Sequence, residues 1–354
     1  MTPAPSVTPA PRALVVPGVG RPSLRVVALG GGHGLAASLS ALRHVSPQLT
    51  AVVTVADNGG SSGRLRDELG VLPPGDLRQA LAALCGDDDW GRTWASVLQH
   101  RFRSSGDLHD HALGNLLIVA LWELLAGAET TATSGRALGG ASAPHVAGLD
   151  WVARLLGARG RVLPMSAVPL DVVASVRGTN PDAPEALTHI RGQVQVASTR
   201  GRVVSVALDP PDPPACAEAV TALQAADWVV VGPGSWYTSV LPHLLVPELS
   251  AALHSTSGRR ILTVNLAPQQ GETDEMTPAQ HLDALGEHAP DLRLDAVLVD
   301  RGSLHSAPER EALSDAAARL GAEVVVSDVR VRDGSPRHDV LRLAAAYLDI
   351  MGLA

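Results

Sequence analysis

The chain has 354 residues, a formal net charge of −8 at neutral pH and two cysteines. This length is enough for a sizeable core, whereas the acidic, aromatic-poor composition argues against a general nucleic-acid binder. Two cysteines provide neither a disulfide framework nor a thiolate metal cluster. All 28 basic residues are arginines, which excludes Walker-type phosphate loops, protein kinases and pyridoxal enzymes because each needs a lysine.

The first 23 residues are rich in proline and alanine and carry little charge. This composition predicts a disordered N-terminal tail over residues 1–23. The segment lacks the basic start and apolar stretch of a signal peptide, and the best apolar run, 112–126, contains Asn115 and Glu123. We therefore expect a cytoplasmic protein without a membrane span.

A glycine turn, Gly30–Gly34, follows the apolar strand predicted at Leu24–Leu29. Gly32–Ala37 fits the G-x-G-x-x-A dinucleotide pattern, with a strand before it and a helix after it. Backbone N–H groups and the positive end of a helix dipole at such a turn suit a phosphate group. The alternative is a tight turn that only lets the helix approach the strand.

A second glycine turn, Asp57–Arg66, follows the next predicted strand and contains serines and two arginines. Asp57 is suited to a ribose hydroxyl or a divalent cation, and Arg64 and Arg66 to phosphate groups. Gly59–Gly63 also fits the G-x-S-x-G pattern of hydrolase nucleophiles, although the sequence lacks the strand-to-helix elbow and a preceding oxyanion motif. A flexible Gly/Ser loop is the remaining alternative.

The middle of the chain contributes isolated polar residues. Asp76 is predicted to cap the helix that follows it. His109 and His111 are poorly spaced for a metal chelate, so capping and packing are favoured there. Asn115 lies in an apolar helix, where a buried amide needs a partner. Short strands between residues 161 and 199 predict a β-rich insertion over the nucleotide-binding edge.

A third glycine turn, Gly232–Gly234, follows the buried strand predicted at Asp227–Val231. Hydroxyl side chains follow it, so this turn is either a third phosphate cradle or a capped strand-to-helix turn. The remaining strands and helices complete an α/β alternation, and Arg337 before the last helix could bind an anion. Ligands of such folds bind beyond the carboxyl ends of parallel strands, so we expect the turns to meet at one edge of the sheet and hold a phosphorylated, nucleotide-like ligand.

Six segments together resemble the YvcK/CofD-like family, and most closely its YvcK branch, described as gluconeogenesis or morphogenesis factors. They are GGGHG (30–34), VTVADNGGSSGRLR (53–66), LPPGDLRQAL (72–81), HALGNLL (111–117), GPGSWYTSVLP (232–242) and GETD (271–274). His33 stands where the family has Thr, and Asn58 stands where it has a second Asp. The second departure argues against a metal site made of two adjacent aspartates.

The resemblance implies an α/β fold: a Rossmann-like, mostly parallel sheet with helices on both faces and a small β-rich insertion at roughly 161–200. It implies one domain over residues 24–354. Its implied ligand-binding positions, with no catalytic residue and no metal site, are Gly30, Gly31, Gly32, Gly34, Asp57, Asn58, Gly59, Gly60, Ser61, Ser62, Arg64, Arg66, Asp76, Asn115, Gly232, Gly234, Ser235, Tyr237, Thr238 and Arg337.

Three functions follow as alternatives. The first is a non-catalytic regulator that binds a UDP-activated amino sugar, such as UDP-N-acetylglucosamine, and links gluconeogenic carbon supply to cell-wall precursor synthesis and cell shape. A protein partner in amino-sugar synthesis and a homo-oligomer are compatible with it. The second is a phospholactate transferase in which Asp57 and Asp76 hold Mg²⁺. The third is an NAD-dependent oxidoreductase, suggested by the G-x-G-x-x-A turn and Asp57.

Overall fold

The structure, a computed structural model, describes residues 24–131, 143–180, 182–269, 273 and 276–353. The predicted N-terminal tail and all of the GETD segment except Thr273 lie outside the described residues. Within the described part of the chain, no helix is both long enough and apolar enough to cross a bilayer.

In the described residues, three strands and six helices make up the first half of the chain, and five of these helices lie between the second and the third strand. In order they are β1 (Arg25–Gly30), α1 (Gly32–Leu42), β2 (Gln48–Val53), α2 (Gly60–Leu69), α3 (Gly75–Ala83), α4 (Asp89–Gln99), α5 (Leu113–Thr131), α6 (Pro144–Leu156) and β3 (Arg161–Pro164). A separate group follows, made of β4 (Asp171–Arg177), β5 (Thr188–Arg191), α7 (Gln193–Ala197) and β6 (Arg202–Asp209).

Strands and helices alternate through the second half of the chain. Its elements are α8 (Ala217–Ala225), β7 (Trp228–Val231), a π-helical turn (Trp236–Val240), a short 3₁₀ helix (Leu241–Leu245), α9 (Pro247–Ser255), β8 (Arg259–Thr263), α10 (Pro278–His288), β9 (Ala296–Asp300), a second 3₁₀ turn (Arg301–Ser303), α11 (Ala307–Arg319), β10 (Glu323–Ser327) and α12 (Val340–Ile350).

Seven strands form one sheet in the order β10-β9-β8-β7-β1-β2-β3, and every pairing in it is parallel. Every residue of β7 and of β9 is buried, so both faces of the sheet are covered, as a parallel sheet requires. This arrangement confirms the predicted α/β fold with a mostly parallel sheet.

The sheet has one topological switch point, between β1 and β7. From β1 the chain adds β2 and β3 on one side, and from β7 it adds β8, β9 and β10 on the other. At such a point the loops leave two neighbouring strands in opposite directions and open a crevice beyond their carboxyl ends. The first and third glycine turns both lie there, because they follow β1 and β7.

A second, antiparallel sheet has the strand order β5-β4-β6. Val172, Ala174 and Val176 alternate inward from β4 and are fully buried, which is the period-two pattern of a sheet with one covered face. It confirms the predicted β-rich insertion but shifts its boundaries. The predicted range began at residue 161, yet β3 pairs with β2 in the large sheet, and the small sheet extends to Asp209.

Candidate ligand-binding site

The first and third glycine turns are in direct backbone contact. A Cβ placed on Gly34 would lie 2.2 Å from the carbonyl oxygen of Pro233 and 2.5 Å from Cα of Gly234. Only glycine therefore allows this approach. Behind the turns, the Ser38 hydroxyl donates to the carbonyl of Gly232 at 3.0 Å. The structure thus joins the two turns at the switch point, where sequence reasoning expected them to meet.

The first turn leads directly into α1. Its N-cap residue, Gly31, offers no side-chain cap, so the first N–H groups of α1 have no partner from a capping side chain. The Gly32 N–H group instead donates to the carboxylate of Asp76. A helix start that holds its first N–H group against a buried carboxyl group is a place where the helix dipole favours negative charge, as it does at anion sites.

Asp76 and Asp57 form a pair of neighbouring carboxyl groups beside this turn. Asp76 Oδ2 lies 2.5 Å from the Cβ position of Gly31, and Asp57 Oδ2 lies 2.7 Å from that of Gly75. Burial, and then the charge of Asp57, raise the pKa of Asp76 to about 7, against the opposing effects of the Gly32 N–H and of Arg78. Sequence reasoning assigned Asp76 as a helix cap, which is wrong, because the N-cap is Pro74 and Asp76 lies in the first turn of α3.

Two buried oxygen atoms at this position have no hydrogen-bond partner among the described residues. They are Oδ2 of Asp76 and Oγ1 of Thr54, and both side chains border Gly31. Buried polar atoms usually have a hydrogen-bond partner. A cation or a hydroxyl group of a ligand would provide the missing partner for these two oxygen atoms. Within the described residues, no cluster of three or more metal-binding side chains occurs.

The second glycine turn is held by a network of side chains. Ser61 is buried and its hydroxyl accepts from the Asn115 amide at 3.0 Å and from the Ala112 N–H at 3.3 Å. The same hydroxyl lies 3.0 Å from Nδ1 of His111. Since a hydroxyl has one proton and two lone pairs, it donates to His111 and has no capacity left. The burial of Ser61, and not its contact with His111, argues against the nucleophilic serine of the G-x-S-x-G alternative.

Asn115 extends the network inward. Its Oδ1 accepts from Nε of Arg78 at 2.8 Å, and Arg78 also donates to Gln99. Arg78 is buried, and burial lowers its pKa to about 10. Asn115, predicted as a ligand-binding residue, thus joins α3 and α5 to the second turn in this structure.

The two arginines of the second turn contact protein groups. Arg64 donates to the carbonyl oxygens of Asp107 at 3.1 Å and His109 at 2.7 Å. Arg66 donates to the carbonyl of Leu170 at 2.8 Å and pairs with Asp171 at 2.8 Å. Their predicted contact with phosphate therefore stays a prediction, and in the structure they anchor neighbouring segments.

The other residues of the second turn make short-range contacts. Oδ1 of Asp57 accepts from the Gly59 N–H at 2.8 Å. Gly60 has a positive φ of 48° and begins α2. Ser62 Oγ lies 2.3 Å from the Cβ position of Gly75, on the same side as Asp57. Asn58 contacts α7, the short helix between β5 and β6.

The third turn is fixed by an asparagine that sequence reasoning did not single out. Asn265, just after β8, accepts from the Gly234 N–H at 2.9 Å and donates to the Gly234 carbonyl at 2.8 Å. A polar residue at the carboxyl end of a neighbouring parallel strand was the available signal. Ser235 caps the following turn through the N–H of Thr238.

Tyr237 and Thr238 are buried, and the Tyr237 hydroxyl lies 3.7 Å from the sulfur of Met276. Arg337 is mostly exposed and pairs with Asp333 at 2.6 Å within its own turn. The structure thus brings together the glycine turns, Asp57, Asp76 and Ser62, whereas the described contacts of Arg337 are local.

Comparisons with known proteins agree on one group. A sequence model of the family described as 2-phospho-L-lactate transferase CofD matches residues 26–333. The putative gluconeogenesis factor of Mycobacterium tuberculosis is 51% identical over 320 residues, covering 90% of this chain and 88% of that protein. The gluconeogenesis factor of Listeria monocytogenes is 32% identical over 335 residues, covering 92% and 95%. The crystal structure of a UPF0052-family protein from Bacillus halodurans has 31% identity and a TM-score of 0.76, covering 93% of this chain and 100% of that one.

Proposed function

The chain belongs to the 2-phospho-L-lactate transferase CofD family, and we propose that it is a cytoplasmic, non-catalytic regulator that binds a UDP-activated amino sugar. In this proposal the ligand, of the UDP-N-acetylglucosamine type, reports carbon supply to cell-wall precursor synthesis and cell shape through a protein partner. The names of its relatives, which are gluconeogenesis factors, support the metabolic part of the proposal.

One observation carries the ligand class. Two glycine turns contact each other through backbone atoms at the switch point of the sheet. This geometry brings the start of α1 and the third glycine turn to one crevice, where the positive end of the helix dipole favours negative charge, and this suits a diphosphate. Asp57, beside the crevice, is suited to a ribose hydroxyl.

Calorimetry of the full chain with UDP-N-acetylglucosamine, with NAD as the comparison ligand, tests the proposal. We expect the sugar nucleotide to bind, and no heat and no thermal shift at millimolar ligand would contradict it. Gly34→Ala puts a methyl group against Pro233 and must separate the turns, so we expect affinity to fall at least about tenfold. Asp57→Asn serves as the milder change at the same crevice.

Gly127→Ala is the matched control. Gly127 lies in α5 with open space around its Cβ position, so an alanine there fits without a clash. This variant should bind as the wild type does. Equal losses in Gly34→Ala and Gly127→Ala would contradict the assignment of the crevice.

The Asp57–Asp76 pair favours a second candidate, a transferase of the phospholactate type. A buried carboxyl with a raised pKa and an unpartnered oxygen fits a divalent cation, and Mg²⁺ commonly takes one or two carboxylates plus substrate phosphates. Asp57 and Asp76 would hold the ion, which would stabilise charge on a transferring phosphoryl group. Absorbance change of a deazaflavin with a guanylated donor and Mg²⁺ would support this candidate over the regulator.

A further inference from the structure

Asn58 connects the second glycine turn to the small sheet. Its Oδ1 accepts from the N–H of Val194 at 3.0 Å, and its Nδ2 donates to Oε1 of Gln195 at 2.9 Å. Both partners belong to α7. The amide therefore uses an acceptor and a donor at once, which an ionised carboxylate cannot do.

The backbone beside this contact is built around it. Gly192, which precedes α7, has a φ of 97°, and a Cβ there would lie 2.2 Å from Nδ2 of Asn58 and 2.3 Å from Oε1 of Gln195. The positive φ favours glycine here, and a side chain at this position would displace the amides of Asn58 and Gln195. We call Asn58, Gly192, Val194 and Gln195 the Asn58 clamp.

A second attachment lies on the same side of the insertion. Arg66 of α2 pairs with Asp171 of β4 at 2.8 Å, and both side chains are less than one fifth exposed. The small sheet is therefore tied to the second glycine turn and α2 at two points, one from α7 and one from β4.

The helix α7 also reaches the other side of the crevice. It packs against the π-helical turn 236–240, which directly follows the third glycine turn. Val194 is 48% exposed, and its Cγ2 lies 2.9 Å from the Cβ position of Gly59. In the same helix, Oε1 of Gln193 is buried without a hydrogen-bond partner among the described residues.

From these contacts we infer that the small sheet is the recognition cover of the switch-point crevice and that Asn58 is the positioning residue that holds it there. The glycine turns hold the diphosphate, and α7, which bridges the second and third turns, meets the glycosyl part. The Gln193 amide oxygen accepts a hydroxyl or amide N–H of that part. The inference deepens the proposed function and rests on it for the identity of the ligand.

Two variants of Asn58 and two ligands test it. Asn58→Leu removes both hydrogen bonds, whereas Asn58→Asp keeps the acceptor for Val194 and loses the donor to Gln195. We expect Asn58→Leu to weaken binding of UDP-N-acetylglucosamine about tenfold, the effect of one or two lost hydrogen bonds. Binding of UDP, which lacks the sugar, should change much less. Asn58→Asp, which keeps one of the two hydrogen bonds, should bind the sugar nucleotide more tightly than Asn58→Leu and less tightly than the wild type.

Thr188→Val is the matched control, because it breaks an exposed side-chain hydrogen bond to Thr179 at the far end of β5. It should leave both affinities unchanged. If Asn58 only stabilised the fold, Asn58→Leu would lower the melting temperature and keep the ratio of the two affinities. That result, or unchanged sugar-nucleotide binding, overturns the inference.

Hydrogen exchange of the unliganded protein separates this inference from the proposed function. Amides of α7 should exchange faster in Asn58→Leu than in the wild type and in Thr188→Val, and unchanged exchange would refute the clamp. If the wild type bound no UDP-N-acetylglucosamine, the proposed function and the recognition role would both fail. Faster exchange in that case would still support Asn58 as the residue that positions α7.

Discussion

At the scale of single residues, the site depends on buried polar groups whose partners lie far along the chain. Asp76 is the main example, because its environment is assembled from Gly32, Asp57 and Arg78. The sequence alone favoured a capping role for it. Its burial, and hence its raised pKa, follows from the contact of α3 with the first glycine turn.

Replacing Asp76 with Asn should change the pH dependence of stability. The folded-state pKa is raised from 3.8 to about 7, so this group's contribution to stability is fully present below pH 3.8 and is lost as the pH rises through 7. Relative to the wild type, Asp76→Asn should therefore gain stability as the pH rises from about 4 to about 7, with no further gain above that, on the order of a few kcal/mol at most. Thermal unfolding of both proteins between about pH 4 and 8 measures this difference in stability. A difference that did not change with pH would contradict the raised pKa of Asp76.

At the scale of elements, glycine-rich turns that look alike in the sequence have different surroundings in the structure. Glycine-rich turns after β1 and β7 meet at the crevice, whereas the turn after β2 is fixed by side chains from α5 and from the small sheet. Arg64 and Arg66 belong to this turn, and an arginine side chain suits a phosphate group. Their actual partners, the carbonyls of 107, 109 and 170 and the carboxylate of Asp171, come from segments that only folding brings near.

Arg66→Met tests the attachment of the small sheet. It removes one partner of a mostly buried ion pair and leaves the Asp171 carboxylate less well compensated, so we expect a loss of about 1–3 kcal/mol in the free energy of unfolding. Arg191 is the matched control, because it contacts the same carboxylate at 2.8 Å but is 63% exposed. Arg191→Gln should lower the free energy of unfolding, measured by urea denaturation, by less than about 1 kcal/mol. Equal losses of stability in the two variants would contradict the prediction that burial makes the Arg66–Asp171 pair the stronger of the two.

At the scale of the whole molecule, the parallel sheet buries groups that must stay neutral. His243 is completely buried and its Nε2 lies 3.0 Å from the carbonyl of Val52 in β2. Burial lowers the pKa of His243 from 6.5 to about 4, and it does the same for His338. Protonation of either histidine therefore opposes folding.

We expect these histidines to contribute to acid destabilisation. With a folded pKa below the unfolded value, their contribution is fully present above pH 6.5 and is lost as the pH falls through about 4. His243→Gln keeps a donor for the Val52 carbonyl and does not titrate. Between pH 6.5 and 5, its free energy of unfolding should therefore fall by about 2 kcal/mol less than that of the wild type. Urea unfolding at both pH values measures this, with His305→Gln, at an exposed position, as the control. A wild-type loss unchanged in His243→Gln would contradict the prediction.

The sequence by itself determined the alternation of strands and helices and the positions of the glycine turns, because apolar periodicity and backbone sterics act over a few neighbouring residues. It also predicted that turns after neighbouring strands share one edge. Only the tertiary structure decided that Gly34 touches Pro233, that Asp57 lies beside Asp76, that Asn58 holds α7 and that β3 belongs to the large sheet. These contacts join residues far apart in the chain, and strand order and register, which no local pattern encodes, select the partners.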